Sequence, residues 1–179
     1  LTGAGTIDVD AAKTLTYSGI IAGGGSLTKT DTGTLTLGGA NTFNGGLVIN
    51  AGTVSATSNS SALGLGSVFL GATSGSADAT LLGDNRTFAN PITVQAGSAG
   101  NTLTIGNSGG TSAVFSGAMT LNNALTVNAG SPPGGSVQLS GALSGAGALT
   151  ASGASVVILS GDNSAFSGGD LTSAESDML

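Results

Sequence analysis

Asp8 and Asp10 alternate in Ile-Asp-Val-Asp, so an extended strand would send both carboxylates to the same face. Two acids placed this way could bind Ca²⁺ through oxygen, or act as acid and nucleophile on a glycosidic bond. A solvated pair near an exposed edge is the plainer reading, and it is preferred. Asp31, Asp78, Asp84, Asp162 and Asp170 lie far apart along the chain, most of them beside turn residues. Lys13, Lys29 and Arg86 are the only cations. A carbohydrate-cleaving site would need Asp8, Asp10, Lys13 and Lys29 to converge, or two acids and one base in a single groove.

Other chemistries find less material. The chain has no His and no Cys, which removes Ser-His triads, thiolate metal sites and disulfides. Gly168-Gly-Asp170 is only a fragment of the Ca²⁺-binding nonapeptide, and Gly64-Leu-Gly66 and Gly145-Ala-Gly147 lack the third Gly of a dinucleotide loop. Three scattered bases against nine acids, a net charge of −6, do not make a phosphate-binding patch, so no nucleic-acid partner is expected. The reading assigns no catalytic, cofactor-binding or metal-binding residue, and no cofactor.

The elements that would position any such group are unusual. Gly accounts for 33 of 179 residues and charged residues for 7%. Helical surfaces are normally covered by Glu, Lys and Arg; here Ser, Thr, Asn and Gly take that place and favour turns and strands. Hydrophobic residues at 39% argue against disorder. The longest aliphatic run, Val156–Leu159, is too short to span a bilayer. No basic, apolar leader opens the chain, and the first residue is Leu, which suggests a segment of a longer surface protein.

The chain repeats itself. With a shift of twenty, Leu1–Ile7 falls on Ile21–Leu27, Thr14-Leu-Thr-Tyr17 on Thr34-Leu-Thr-Leu37, and Val137-Gln-Leu139 on Val157-Ile-Leu159. Leu143-Ser-Gly-Ala-Gly-Ala-Leu149 matches the same opening. Phe115-Ser-Gly117 and Leu139-Ser-Gly141 are twenty-four apart, and Leu70, Leu82 and Ile105, each followed by Gly, suggest further copies. Each copy holds short alternating runs and Gly-rich bends. Such copies cannot bury a core alone and must stack. The expected fold is all-β, a parallel β-solenoid over residues 1–179 with an irregular tail at 172–179 and coils of about 20–24 residues. About eight coils at ~4.8 Å would make a rod of about 40 Å. The competing architecture is an antiparallel sandwich or barrel, which needs longer strands joined by hairpins.

Stacking also explains the composition. Thr and Asn tolerate a ladder, whereas like charges one strand apart repel. A flat Thr-x-Thr ladder could order water. Thr14-x-Thr16, Thr34-x-Thr36 and Thr102-x-Thr104 are present, but Val137-x-Leu139 and Val157-x-Leu159 break the series.

Residues Gly25–Val54, with Leu-Thr-Lys, Gly-Thr-Leu-Thr-Leu, Asn-Thr-Phe, a Gly pair and Asn-Ala-Gly-Thr-Val, resemble the autotransporter-associated β-strand repeat, also called the passenger-associated transport repeat. A degenerate copy covers Gly145–Leu171, with Ala151 at the Lys position and Phe166 as the shifted aromatic. The resemblance implies a right-handed parallel β-helix, extracellular or on a bacterial outer surface, and brings no catalytic residues. The expected function is therefore a non-enzymatic scaffold or adhesin stalk. Alternatives are a filament subunit stacking end to end on itself, and a polysaccharide-binding or polysaccharide-cleaving β-helix. The expected partners follow: host-cell, matrix or glycan surfaces, or a second copy of the chain.

Overall fold

The computed structural model describes residues 1–97, 100–130, 134–169 and 172–174. In chain order the strands are β1 (Gly5–Asp8), β2 (Thr14–Tyr17), β3 (Leu27–Thr30), β4 (Thr34–Leu37), β5 (Leu47–Ile49), β6 (Gly52–Ala56), β7 (Val68–Leu70), β8 (Ala79–Gly83), β9 (Thr87–Phe88) and β10 (Ile92–Val94). They continue as β11 (Leu103–Asn107), β12 (Ser112–Phe115), β13 (Met119–Leu121), β14 (Leu125–Asn128), β15 (Ser136–Leu139), β16 (Leu143–Gly145), β17 (Leu149–Ser152), β18 (Val156–Leu159), β19 (Ala165–Phe166) and β20 (Thr172–Ala174). The expected irregular tail therefore includes one paired strand; residues 175–179 lie outside the described residues. Among the described residues there is no helix, so none that is long and apolar enough to cross a membrane.

All pairing between these strands is parallel, and it connects equivalent strands of successive turns. The first sheet runs β1-β3-β5-β7-β10-β13-β16-β19 and the second β2-β4-β6-β8-β11-β14-β17-β20. Eight strands in each sheet mean about seven turns, and at about 4.8 Å per turn a winding of about 34 Å. This is the expected β-solenoid. A third sheet, β9-β12-β15-β18, exists only in the later turns. Early turns are two-stranded: residues 38–46 return from β4 to β5 without a strand, burying Asn41 and Phe43 on the way. From β9 onward the return path is itself a strand.

The added side changes the coil length. Thr34 to Thr53 is a turn of 19 residues, whereas Ile92 to Met119 is a turn of 27, a wider range than the expected coils. Several sequence alignments are corrected accordingly. Gly5, and not Leu1 plus six, stacks on Leu27, an offset of 22, while Thr14 on Thr34 keeps the offset of 20. The difference is the corner: residues 9–13 separate β1 from β2, but only residues 31–33 separate β3 from β4. Leu143 occupies the Leu27 column of the first sheet, and Leu149 lies on the second sheet, so that stretch does not repeat Leu1–Ile7 in space. Leu70 pairs on the first sheet, while Ile105 stacks on Leu81 of the second. The offsets at Phe115–Leu139 and Val137–Val157 hold as expected.

Alternation fixes which side chains enter the core. In β4 Leu35 and Leu37 are fully buried while Thr34 and Thr36 are half-buried on the outer face. Each buried Leu contributes about 1.5–3 kcal/mol relative to exposure. Third-sheet aromatics also stack inside: Phe88 pairs with Phe115, ring centroids 5.6 Å apart. On the outer face of the second sheet, Thr14, Thr34, Thr53, Thr80, Thr104, Thr126 and Thr150 form one unbroken column. The Val pairs at 137 and 157 that seemed to interrupt it belong to the third sheet. The neighbouring column is not uniform: after Thr16, Thr36 and Ser55 come Leu82 and Gly106, so a two-residue hydroxyl pattern stops at the third turn.

Glycine has a steric task at the bends. A Cβ on Gly141 would meet the carbonyl oxygen of Gly117 at 1.9 Å, and one on Gly161 would meet that of Gly141 at 2.0 Å. Neither residue needs a left-handed backbone; the next turn simply lies too close for a side chain. The Ser before each of these glycines sits at the bend, as expected, and bonds through its backbone: Ser140 N donates to Phe115 O at 3.0 Å.

Candidate functional site

The strongest concentration of ionisable groups is at the corner between the first and second sheets. One turn of stacking places Asp8 on Thr30, which brings Asp31 beside the Asp8–Asp10 pair. The three carboxylates have oxygens within 4.8 Å of one another. Distance along the chain had separated Asp31 from the pair; winding joins them. All three side chains are exposed. Asp8 Oδ1 accepts from Thr30 Oγ1 at 2.7 Å, and Asp31 Oδ1 accepts from Thr32 N at 2.6 Å. Asp31 has φ 58°, a left-handed conformation that Asp tolerates through such a local bond.

Lys29 lies inside this corner. It follows Leu27 by two on β3, so alternation points it into the core, and it is fully buried. Its column neighbours are Ile7 and Ile49. The ammonium escapes the apolar core by donating to three carbonyls: Thr30 O at 2.7 Å, Asp31 O at 2.6 Å and Ala51 O at 3.4 Å. Burial lowers its pKa from the usual lysine value, and Asp31 and then Asp8 oppose that shift. The alternation in Leu-Thr-Lys-Thr was the available signal for a buried lysine, and it was overlooked because Lys is so rarely interior.

The arrangement limits the chemistry of the corner. Asp8, Asp10 and Asp31 converge, but the Lys29 ammonium is committed to backbone carbonyls. Lys13 closes its turn through the backbone, donating N–H to Asp10 O at 3.0 Å, and its side chain is exposed. Arg86 is elsewhere, bonded to Asn85 O at 2.9 Å in the turn after β8. A surface cleft is lined by Ser60, Ser61, Gly64, Leu65, Ala89, Asn90 and Pro91, none of them charged. The acids and this cleft are therefore separate. Gly106-Asn-Ser-Gly-Gly110 spells the Gly-x-Ser-x-Gly pattern of a nucleophile turn. Ser108 follows β11 and leads through a bend into β12, with no helix behind it and no His in the chain.

Polar groups elsewhere hold turns together. Asn41, fully buried, accepts from Ile21 N at 2.8 Å and donates to Ala62 O at 2.7 Å, clasping three consecutive turns. Asn90 donates to Gly64 O at 3.0 Å and Gly66 O at 2.8 Å one turn back. Asn41, and the Gly64 and Gly66 carbonyls that Asn90 reaches, lie on early return paths that contain no strand.

The family described as passenger-associated-transport-repeat matches residues 27–56 and 149–172. The two copies agree locally: Asp31 and Gly153, each four residues after the opening Leu, both have positive φ, 58° and 95°. They differ in placement. The first copy starts on the first sheet with β3, and the second starts on the second sheet with β17. The chain is also 44% identical over 130 residues to the adhesin BmaC autotransporter of Brucella suis biovar 1 (strain 1330). That alignment covers 66% of this chain and 4% of the relative, so the chain corresponds to a small part of that protein. No solved structure matches the chain. The chain is a parallel β-solenoid that carries passenger-associated transport repeats at residues 27–56 and 149–172 and is similar to part of an autotransporter adhesin.

Proposed function

We propose that this chain is a non-enzymatic scaffold, a stalk segment of a passenger on the bacterial surface or secreted from it. The observation that carries the reading is the use of the polar side chains. Lys29, Asn41 and Asn90 bond the chain's own backbone across turns. Three of the acids converge at an open corner where the Lys29 ammonium is committed to backbone carbonyls, and the cleft has no acid. What remains is an uninterrupted double ladder, which resists extension along its axis and holds its two ends at a fixed separation. The relative is named an adhesin; for this chain the corresponding role is to space a binding region from the cell and not to supply the contact itself.

Deletion of one whole turn within the surface-displayed parent protein tests this. Removing residues 104–125, one register repeat of the second sheet, is expected to lower the height of the displayed rod by about 4.8 Å in atomic force measurements and to leave target binding unchanged. Loss of binding with an intact rod would overturn the scaffold role. Release of reducing sugars from a polysaccharide panel, abolished in Asp8→Asn, would favour the enzymatic alternative instead.

A further inference from the structure

The cleft of Ser60, Ser61, Leu65, Ala89, Asn90 and Pro91 sits at one particular step of the winding. On one side of it, residues 57–67 return from β6 to β7 without a strand. On the other side the return path contains β9, an end strand of the third sheet in the middle of the winding, with turns on both sides of it. β9 is paired along one edge only. Val114 N donates to Arg86 O at 3.0 Å and Ser116 N to Phe88 O at 2.8 Å, so Arg86 and Phe88 face β12. By the same alternation the backbone groups of Thr87 and Ala89 point toward residues 57–67, and among the described residues they have no hydrogen-bond partner. A whole strand has no room there. The two return paths are tied by Ser58 N to Asp84 Oδ2 at 2.7 Å and by Asn90 Nδ2 to Gly64 O at 3.0 Å, and between these ties Ala62 and Leu63 fill the core. What stays open is the cleft, with a volume of about 170 Å³.

We propose that this cleft binds one ring of an N-acetylated hexosamine. The first reason is charge: no lining residue ionises, so the cleft suits a neutral ligand. The second is the mix of surfaces. Ser60 and Ser61 offer hydroxyls, while Pro91 and Leu65, which is 62% exposed, offer apolar contact. A sugar ring has the matching pair, a rim of hydroxyls and a face of C–H groups. The third is the free edge. An acetamido group is a secondary amide, the functional group of the peptide bond, so its N–H and C=O can pair with Ala89 as one link of a missing strand would. Its methyl group then has Leu65 and Pro91 for company. The cleft is also preformed. Asn90 is held by Gly64 O and Gly66 O, and Gly64, at φ 78°, is packed so closely that a Cβ would meet the Phe43 ring at 2.7 Å. Pockets for drug-sized ligands enclose roughly 300–1,000 Å³, so this one admits a single ring. One ring in an open cleft binds with a Kd on the order of 1 mM, too weak to carry adhesion alone. The site therefore adds to the spacer role and does not rest on it.

Saturation-transfer NMR of the purified chain, with N-acetylglucosamine and glucose as probes, tests the proposal. The expected result is transfer to N-acetylglucosamine, strongest at the acetyl methyl, and binding of glucose at least about tenfold weaker. Leu65→Glu should weaken N-acetylglucosamine binding at least about tenfold and keep its unfolding midpoint, because Leu65 is already exposed. Ser61→Ala leaves the backbone bonds of its turn in place and should weaken binding about fivefold. Chitotriose and soluble peptidoglycan fragments both carry this class of sugar; the better competitor identifies its source, and competition by neither overturns the proposal. So does the absence of transfer at millimolar sugar, equal binding of glucose and N-acetylglucosamine, or undiminished binding in both variants.

Discussion

Leu15 stands directly over Leu35 in one column of the second sheet, one turn apart, and only the lower of the two is buried. The same side chain in the same column thus has two environments, which separates the contribution of burial from that of strand propensity. Leu35→Ala should lower stability by about 2–5 kcal/mol, because it opens a cavity between two turns that cannot collapse on a fixed ladder. Leu15→Ala should cost much less. Denaturant unfolding of both variants checks this, and equal losses would mean that Leu35 is not an interior residue.

Lys29 gives the stability a dependence on alkaline pH. Its folded-state pKa lies below the usual 10.5 through burial. Between the two values the unfolded chain binds more protons than the folded one, so stability rises with pH through that window. Lys29→Met lacks this contribution. The difference in unfolding midpoint between the parent chain and Lys29→Met should therefore shift in favour of the parent chain as pH is raised from neutral toward 10.5. A difference independent of pH would show that the ammonium is solvated. The Met variant should also lose stability at neutral pH, since three carbonyls lose a charged donor.

Stacked charge reports the register. Thr80 and Thr104 are adjacent in the outer column, whereas Thr80 and Thr126 are two turns apart. Thr80→Asp with Thr104→Asp should destabilise beyond the sum of the single variants by about 0.2–1 kcal/mol, an excess that shrinks in high salt. The pair at 80 and 126 should be closer to additive. An excess in the second pair but not in the first would contradict the register.

Gly141→Ala tests the close approach at the bends. The added methyl would have to displace the Gly117 carbonyl, a backbone atom fixed by the adjoining strands. A loss well above the ordinary propensity difference between Gly and Ala, which favours Ala, is expected in thermal unfolding. Gly169→Ala, where a Cβ meets nothing within 4 Å, is the matched control and should be near neutral.

The stacking principle was readable because its signals are local: Thr-Leu-Thr with Gly pairs recurs wherever a strand meets a bend. Residue offsets were readable only where corner lengths stayed constant, as between Thr14 and Thr34. They failed at Leu1–Ile7, where one corner is two residues longer than the next. The third sheet was not legible, because Val137 and Val157 have the same alternation as a second-sheet strand, and alternation does not say which side of the coil a strand occupies. The meeting of Asp31 with Asp8 and Asp10 depends on that same register, so it came into view only with the winding. Asn41 belongs to the Asn-Thr-Phe motif, but its double clasp needs the turns on both sides to be placed.

The two copies of the transport repeat begin on different sides of the coil and still form the same left-handed corner. A copy therefore carries its own instructions for bending and does not depend on a fixed angular phase. Unequal crossing-over within the gene could add or drop such units at many breakpoints without wrecking the product. The number of turns can then change while the core of those that remain is left untouched.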